Sequence, residues 1–199
     1  MELSQLLTDP RGGYEVCDVT FSGEGFFGEA AHFVFRGVTF ERCRLSEAVL
    51  RGCSFTGCTF RSCDVSGARM DDSFFSRGTL SSVKGLGTTL TRAVMRDVKI
   101  EDCTFRYASF DGAKWDHAQI RDTSFQEASL SGMRLRETSL SACDLRRAVI
   151  FRTSMDKMDL RSCQLDGIVL SEDLRELRGA TVEEFQAAAL LRALGIRVL

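Results

Sequence analysis

The sequence predicts a solenoid of square cross-section, and two interleaved patterns predict it. Every fifth residue from Phe35 to Leu170 is large and apolar, Gly85 alone excepted. Two places before each stands a second series, from Phe33 to Ile168, made of Ala, Cys, Ser, Thr, Val or Gly except at Phe33, Met133, Met158 and Ile168. A period of five matches neither the 3.6 of an α-helix nor the 2 of a flat strand, so neither element holds one register over this length. A chain that spends five residues on each side of a square points both series inward, and four such units close one coil. Each coil buries its core only against its neighbours, at a strand-like rise of about 4.8 Å.

Taken in order, residues 1–13 form an N-terminal segment with neither a basic flank nor an apolar run, so no secretory signal is expected. The solenoid occupies 14–170. Its first coil is out of phase: Val16, Phe21 and Phe26 keep the spacing of five, with Tyr14 and Val19 two before the first two, but stand one residue off the series of Phe35. A bulge or a four-residue unit is expected between Phe27 and Phe33. Within Ser82-Val83-Lys84-Gly85-Leu86-Gly87 a core position is empty, yet Leu80 and Leu90 stay in phase. Either Phe105 fills that void from the next coil, or the strip is distorted and offers Lys84 and Leu86 as a contact point. From Leu90 to Leu170 the register is unbroken.

Over 171–199 a helical pattern takes over, read as a capping and dimerisation module. Thr181-Val182-Glu183-Glu184 has the form of a capping box and starts a helix at Thr181. Phe185, Ala188, Ala189, Leu191, Ala193 and Leu194 then make an apolar surface that Gly195 ends. Half of it can cap the open sheet edge of the last coil. The rest is expected to join a second copy, through Phe185, Leu190, Leu191, Leu194, Ile196 and Val198.

The repeat absorbs most of the reactive side chains. Of the 8 cysteines, all but Cys17 sit in the small inward series, and Cys43, Cys63, Cys103, Cys143 and Cys163 differ by multiples of twenty. With no Cys-x-x-Cys, they read as small buried hydrophobes, reduced in a cytoplasm, rather than as a disulfide framework or metal ligands. Cys43 over Cys63, and Cys143 over Cys163, stack closely enough for oxidation under stress. His32 and His117 are far apart, and no phosphate loop, H-E-x-x-H or G-x-S-x-G occurs, so neither an enzyme nor a cofactor is expected. No run of 18 apolar residues suggests a membrane span, and a formal charge of -2 gives no global reason to bind nucleic acid. A cytoplasmic location is expected.

Cys63-Asp64-Val65, Cys143-Asp144-Leu145 and the looser Ala148-Val149-Ile150 resemble the A-(D/N)-L-x-x unit of the pentapeptide-repeat family. The resemblance covers roughly 14–170 and implies an all-β solenoid, a right-handed quadrilateral β-helix. Leu165-Asp166-Gly167, Leu177-Arg178-Gly179-Ala180 and the run from Leu194 to Leu199 are similar to the C-terminal end of the topoisomerase-protecting branch, which includes the Qnr and mycobacterial fluoroquinolone-resistance proteins. That likeness implies a non-enzymatic homodimer that binds DNA gyrase or topoisomerase IV and protects it from a poison. The alternative is a generic pentapeptide-repeat scaffold with another protein partner. The unbroken register leaves no room for the long mid-solenoid loops of the Qnr proteins.

A DNA mimic needs a nearly uncompensated acidic face. Here acidic and basic residues balance from Tyr14 to Leu170, and the side carrying Phe35, Phe55 and Phe75 is net basic, which fits a shape-guided contact better than duplex mimicry. Only the central coils lean acidic. Asp97, Glu101, Asp102, Asp116 and Asp122 are therefore the candidate topoisomerase contacts, with Asp102 and Asp122 expected directly above one another and Asp97 and Asp116 on the adjoining side. Lys84 and Leu86 are the second candidates.

Overall fold

A side of five residues and a square of four sides bring each residue against the one twenty places on. The computed structural model, which describes residues 2–8, 15–193 and 196–197, has this arrangement. After a short helix α1 (Leu3–Thr8) come fourteen three-residue strands: β1 (Glu15–Cys17), β2 (Thr20–Ser22), β3 (Val34–Arg36), β4 (Thr39–Glu41), β5 (Ser54–Thr56), β6 (Thr59–Arg61), β7 (Phe74–Ser76), β8 (Thr79–Ser81), β9 (Val94–Arg96), β10 (Lys99–Glu101), β11 (Lys114–Asp116), β12 (Gln119–Arg121), β13 (Arg134–Arg136) and β14 (Ser139–Ser141). The odd strands stack as one seven-stranded parallel sheet and the even strands as another. Isolated bridges such as Arg44↔Asp64 and Val49↔Arg69 hold the third and fourth sides. The whole is the expected quadrilateral β-helix.

In the first coil Val16 lies opposite Phe35 and Phe21 opposite Phe40, whereas Glu29 lies opposite Val49. The missing residue therefore falls between Phe26 and Ala30, both buried, where a four-residue unit replaces five. Leu3 and Leu7 of α1 are buried and join the core at this end.

Large residues stack from rung to rung, and in the first rungs phenylalanine lies on phenylalanine. The rings of Phe35 and Phe55 lie 4.9 Å apart, those of Phe55 and Phe75 4.8 Å, and those of Phe40 and Phe60 4.7 Å. The small series has a second task beyond leaving room. Cys53 Sγ donates to the Ala30 carbonyl at 3.0 Å, Ser73 Oγ to Leu50 at 2.9 Å and Thr88 Oγ1 to Val65 at 2.7 Å. A thiol or hydroxyl in this slot thus satisfies a buried carbonyl of the preceding rung, which explains why Cys, Ser and Thr alternate with Ala there. All eight cysteines are free, Cys17 being exposed on β1, and burial pushes Cys53, Cys58 and Cys103 up to about 11.

Most corners are turned by a residue in the left-handed region, among them Asp97 (φ 53°), Asp102 (φ 53°), His117 (φ 53°) and Asp122 (φ 49°). Short polar residues and glycine tolerate that conformation best. Around Gly85 the backbone is regular: Lys84 N–H donates to Cys63 at 2.9 Å, Gly85 to Thr104 at 2.8 Å and Gly87 to Arg106 at 2.9 Å. The strip is not distorted. Phe105 fills the void.

The five-fold register persists beyond β14, with Met155, Leu160 and Leu165 buried, but the hydrogen-bonded ladder changes there. Both sheets stop at β13 and β14, although the third and fourth sides continue through Asp144↔Gln164 and Val149↔Val169. The rung of residues 154–161 pairs instead with the chain beyond it: Met155 N–H donates to Glu176 at 2.8 Å, Lys157 to Gly179 at 3.1 Å and Leu160 to Thr181 at 2.8 Å. The interruption coincides with Met133 and Met158, two of the oversized members of the small series, both buried. A methionine forced into a slot sized for alanine pushes the rungs apart, the usual result of overpacking.

Candidate interaction surfaces

Helix α2 (Glu184–Ala193) closes the C-terminal end. It begins three residues later than Thr181, because the open edge of the 154–161 rung captures that residue's backbone, with Thr181 N–H donating to Met158 at 2.8 Å. The predicted Thr181–Glu184 capping box is not made. Its role passes to Gln186, whose Oε1 accepts from Glu183 N–H at 2.6 Å, the N3-to-N-cap half of the motif two residues on. Gln186 Nε2 also donates to the carbonyls of Cys163 at 2.6 Å and Leu160 at 3.0 Å. One buried amide thus pins the helix to carbonyls that the ending solenoid leaves open. Glu176, 1% exposed, performs a similar service: its carboxylate accepts from Arg152 N–H at 3.0 Å and from Ser171 N–H at 3.2 Å and hydroxyl at 2.6 Å. Neither residue follows the five-fold pattern, and the sequence reading missed both.

Of the residues assigned to dimerisation, Phe185 (71% exposed), Leu191 (38%) and Ile196 (48%) lie open at this end. Leu190 packs against the chain's own core. Leu194 and Val198 lie outside the described residues.

The acidic candidates frame the even-strand sheet rather than crowding one side. Asp97 stands at the corner where that sheet meets the odd-strand sheet, and its N–H donates to the Asp116 carbonyl at 2.9 Å. Glu101, Asp102 and Asp122 stand at the opposite border, with Asp102 and Asp122 in one corner column as expected. Asp116 lies on β11 between two arginines, 3.6 Å from Arg96 Nε and 3.5 Å from Arg136 Nε, and 2.9 Å from His117 Nδ1. Asp122 lies 3.1 Å from Arg121 Nε, and Asp102 accepts from Ser82 Oγ at 2.8 Å. Among the described residues Asp97 and Glu101 carry no ion pair, although Glu101 is in register with Arg121. Lys84 lies 3.4 Å from Asp64, and Leu86 is exposed. His117 bridges Asp116 and Glu137, its Nε2 2.7 Å from the latter. No group of three or more His, Cys, Asp or Glu able to hold a metal ion occurs among the described residues, and none of their helices is long and apolar enough to cross a membrane.

A family model described as a pentapeptide repeat region matches residues 33–110, 53–125 and 98–172. Among solved structures, a trypsin-treated variant of QnrB1, a plasmid-mediated fluoroquinolone resistance protein, shares 18% identity over 92% of this chain and 99% of that one, with a TM-score of 0.51. HetL, a pentapeptide repeat protein involved in heterocyst differentiation regulation from the cyanobacterium Nostoc sp. strain PCC 7120, shares 14% identity over 85% of this chain and 90% of that one, with a TM-score of 0.31. No curated protein sequence matches the chain.

Proposed function

Since the chain belongs to the pentapeptide-repeat family, we propose that it is a non-enzymatic, cytoplasmic interaction scaffold that acts as a homodimer on DNA gyrase or topoisomerase IV and protects it from a poison. The observation that carries this reading is the apolar surface left open on the end cap, where Phe185 and Leu191 of α2, with Ile196 beyond it, are exposed while Gln186 and Leu190 hold the helix to the solenoid. A second copy covers such a surface through a two-fold axis, joining two solenoids end to end. A fluoroquinolone-resistance protein of the same fold points to the class of poison.

In that dimer the basic stretch from Arg134 to Arg161 lies near the centre and the acidic central coils lie out along each arm. Because Asp116 and Asp122 already have cationic partners, the arms offer shape with scattered carboxylates rather than a continuous anionic stripe. Purified protein added to gyrase supercoiling reactions should restore activity in the presence of a fluoroquinolone. If supercoiling is unchanged at every concentration with and without the drug, the topoisomerase reading fails and a scaffold for another partner stands in its place.

A further inference from the structure

We propose that the break in the odd-strand sheet is a strand-addition site for an extended acidic peptide. A cavity of about 690 Å³ opens there, floored by Met133, Leu135 and Met158 and rimmed by Arg134, Arg152 and Lys157. Its volume is that of a binding site rather than a packing defect.

The backbone defines what fits. In closed rungs Arg134 N–H donates to Ala113 at 2.9 Å and His117 N–H to Arg136 at 3.0 Å. The corresponding bonds one rung on, between Ser154 and Met133 and between Glu137 and Asp156, are not made, and Leu135 N–H has no backbone acceptor. On the far side Asp156 N–H turns to Ser154 Oγ at 3.3 Å. The outer edge of β13 is therefore a free parallel ladder that an incoming strand can extend. Every closed strand of this sheet buries its central side chain and leaves the two beside it exposed or half-buried, and a guest of the same geometry sets one apolar residue on Leu135 and the methionines. Its flanking side chains then stand beside Arg134, Arg152 and Lys157, which carry no ion pair among the described residues; against these three cations the lining holds two carboxylates, Asp156, also without an ion pair, and Glu137, already engaged by His117 and Arg136. That imbalance selects carboxylates.

The test uses the full chain and the fluorescent probe peptide Ser-Glu-Leu-Glu-Ser, with an otherwise identical peptide N-methylated at the glutamate after leucine, whose N–H would donate to the Leu135 carbonyl. Anisotropy at low salt should show saturable binding, weakened about tenfold or more by N-methylation, which removes a backbone bond, and by Arg134→Glu with Lys157→Glu. Hydrogen exchange at Leu135 and Glu137 should be fast in the free chain and slowed by the peptide. Met133→Ala with Met158→Ala should close the ladder and abolish binding while the chain stays folded. The proposal is overturned if Leu135 and Glu137 exchange as slowly as Trp115 and His117 in the free chain, if the N-methylated peptide binds equally well, or if no saturation is reached at millimolar peptide.

Discussion

The ring of Phe105 occupies the space that a side chain on Gly85 would need. A Cβ built on Gly85 would stand 2.6 Å from Phe105 Cδ1, well inside contact distance. Only about 10 Å³ of void remains between Phe105, Leu90 and Phe60. The missing large residue is thus a compensated exchange between adjacent rungs.

Restoring the repeat at this point should harm the protein. Gly85→Leu is expected to cost about 1–3 kcal/mol through overpacking, measured by urea denaturation. Adding Phe105→Leu should recover most of that loss. A Gly85→Leu variant as stable as the parent would show that the ring does not fill the slot.

Phe185→Arg together with Leu191→Arg should yield a folded monomer, because both side chains are exposed in the single chain and their loss empties no core. Sedimentation velocity at micromolar concentration reads the result. A parent chain that is itself monomeric under those conditions refutes the dimer, and with it the end-to-end arrangement.

Reversing Asp97, Asp102, Asp116 and Asp122 to Lys should leave the fold intact and remove protection of gyrase. Corner geometry does not forbid the change: Arg77 (φ 52°) holds the corner one rung before Asp97, and Arg42 (φ 52°) belongs to the column of Asp102. At Asp116 the reversal places three cations in a row, so a small drop in melting temperature is expected from that site. Undiminished rescue of supercoiling would move attention to Lys84 and Leu86.

The end cap should be acid-sensitive through Glu176. Burial pushes its carboxyl up, but the Ser171 hydroxyl and the amides of Arg152 and Ser171 outweigh burial and hold it below its ordinary 4.5. A lowered value means the stabilisation is complete above pH 4.5 and disappears as pH falls through the folded-state value. Glu176→Gln should therefore lose about 1–3 kcal/mol at pH 7, and its deficit against the parent should shrink below pH 4.5. A gap independent of pH would assign the effect to packing instead.

The square coil was legible because one residue in five must be buried whatever its neighbours do, and twenty-residue stacking then follows from geometry. The corners were harder to read. Asp97, Asp102 and Asp122 stood out as charges, yet each also occupies a left-handed position that favours a short polar side chain, so local backbone demands and surface charge are superimposed in the same letters. Met133 and Met158 were visible as exceptions, but whether an oversized residue is absorbed or splits the ladder depends on what stacks above it. Thr181 misled for a related reason: its local capping signal lost to a long-range strand edge. Gln186 had no sequence signal at all, since its value lies in carbonyls twenty-three and twenty-six residues away.

A stack of rungs that keeps its backbone ladder on two sides and loses it on the other two is built like a hinge. The paired sides at Asp144↔Gln164 and Val149↔Val169 form its spine, and the chain from residue 154 onward, with α2, forms the leaf that turns. On the open sides bending stretches only links through side chains, Met133 N–H to Thr153 Oγ1 at 2.9 Å and Ala142 N–H to Ser162 Oγ at 3.0 Å, so it costs less than bending where the backbone ladder is complete. Two copies joined through their leaves would set the angle between their rods at this line, letting one rigid repeat architecture follow partner surfaces of different curvature.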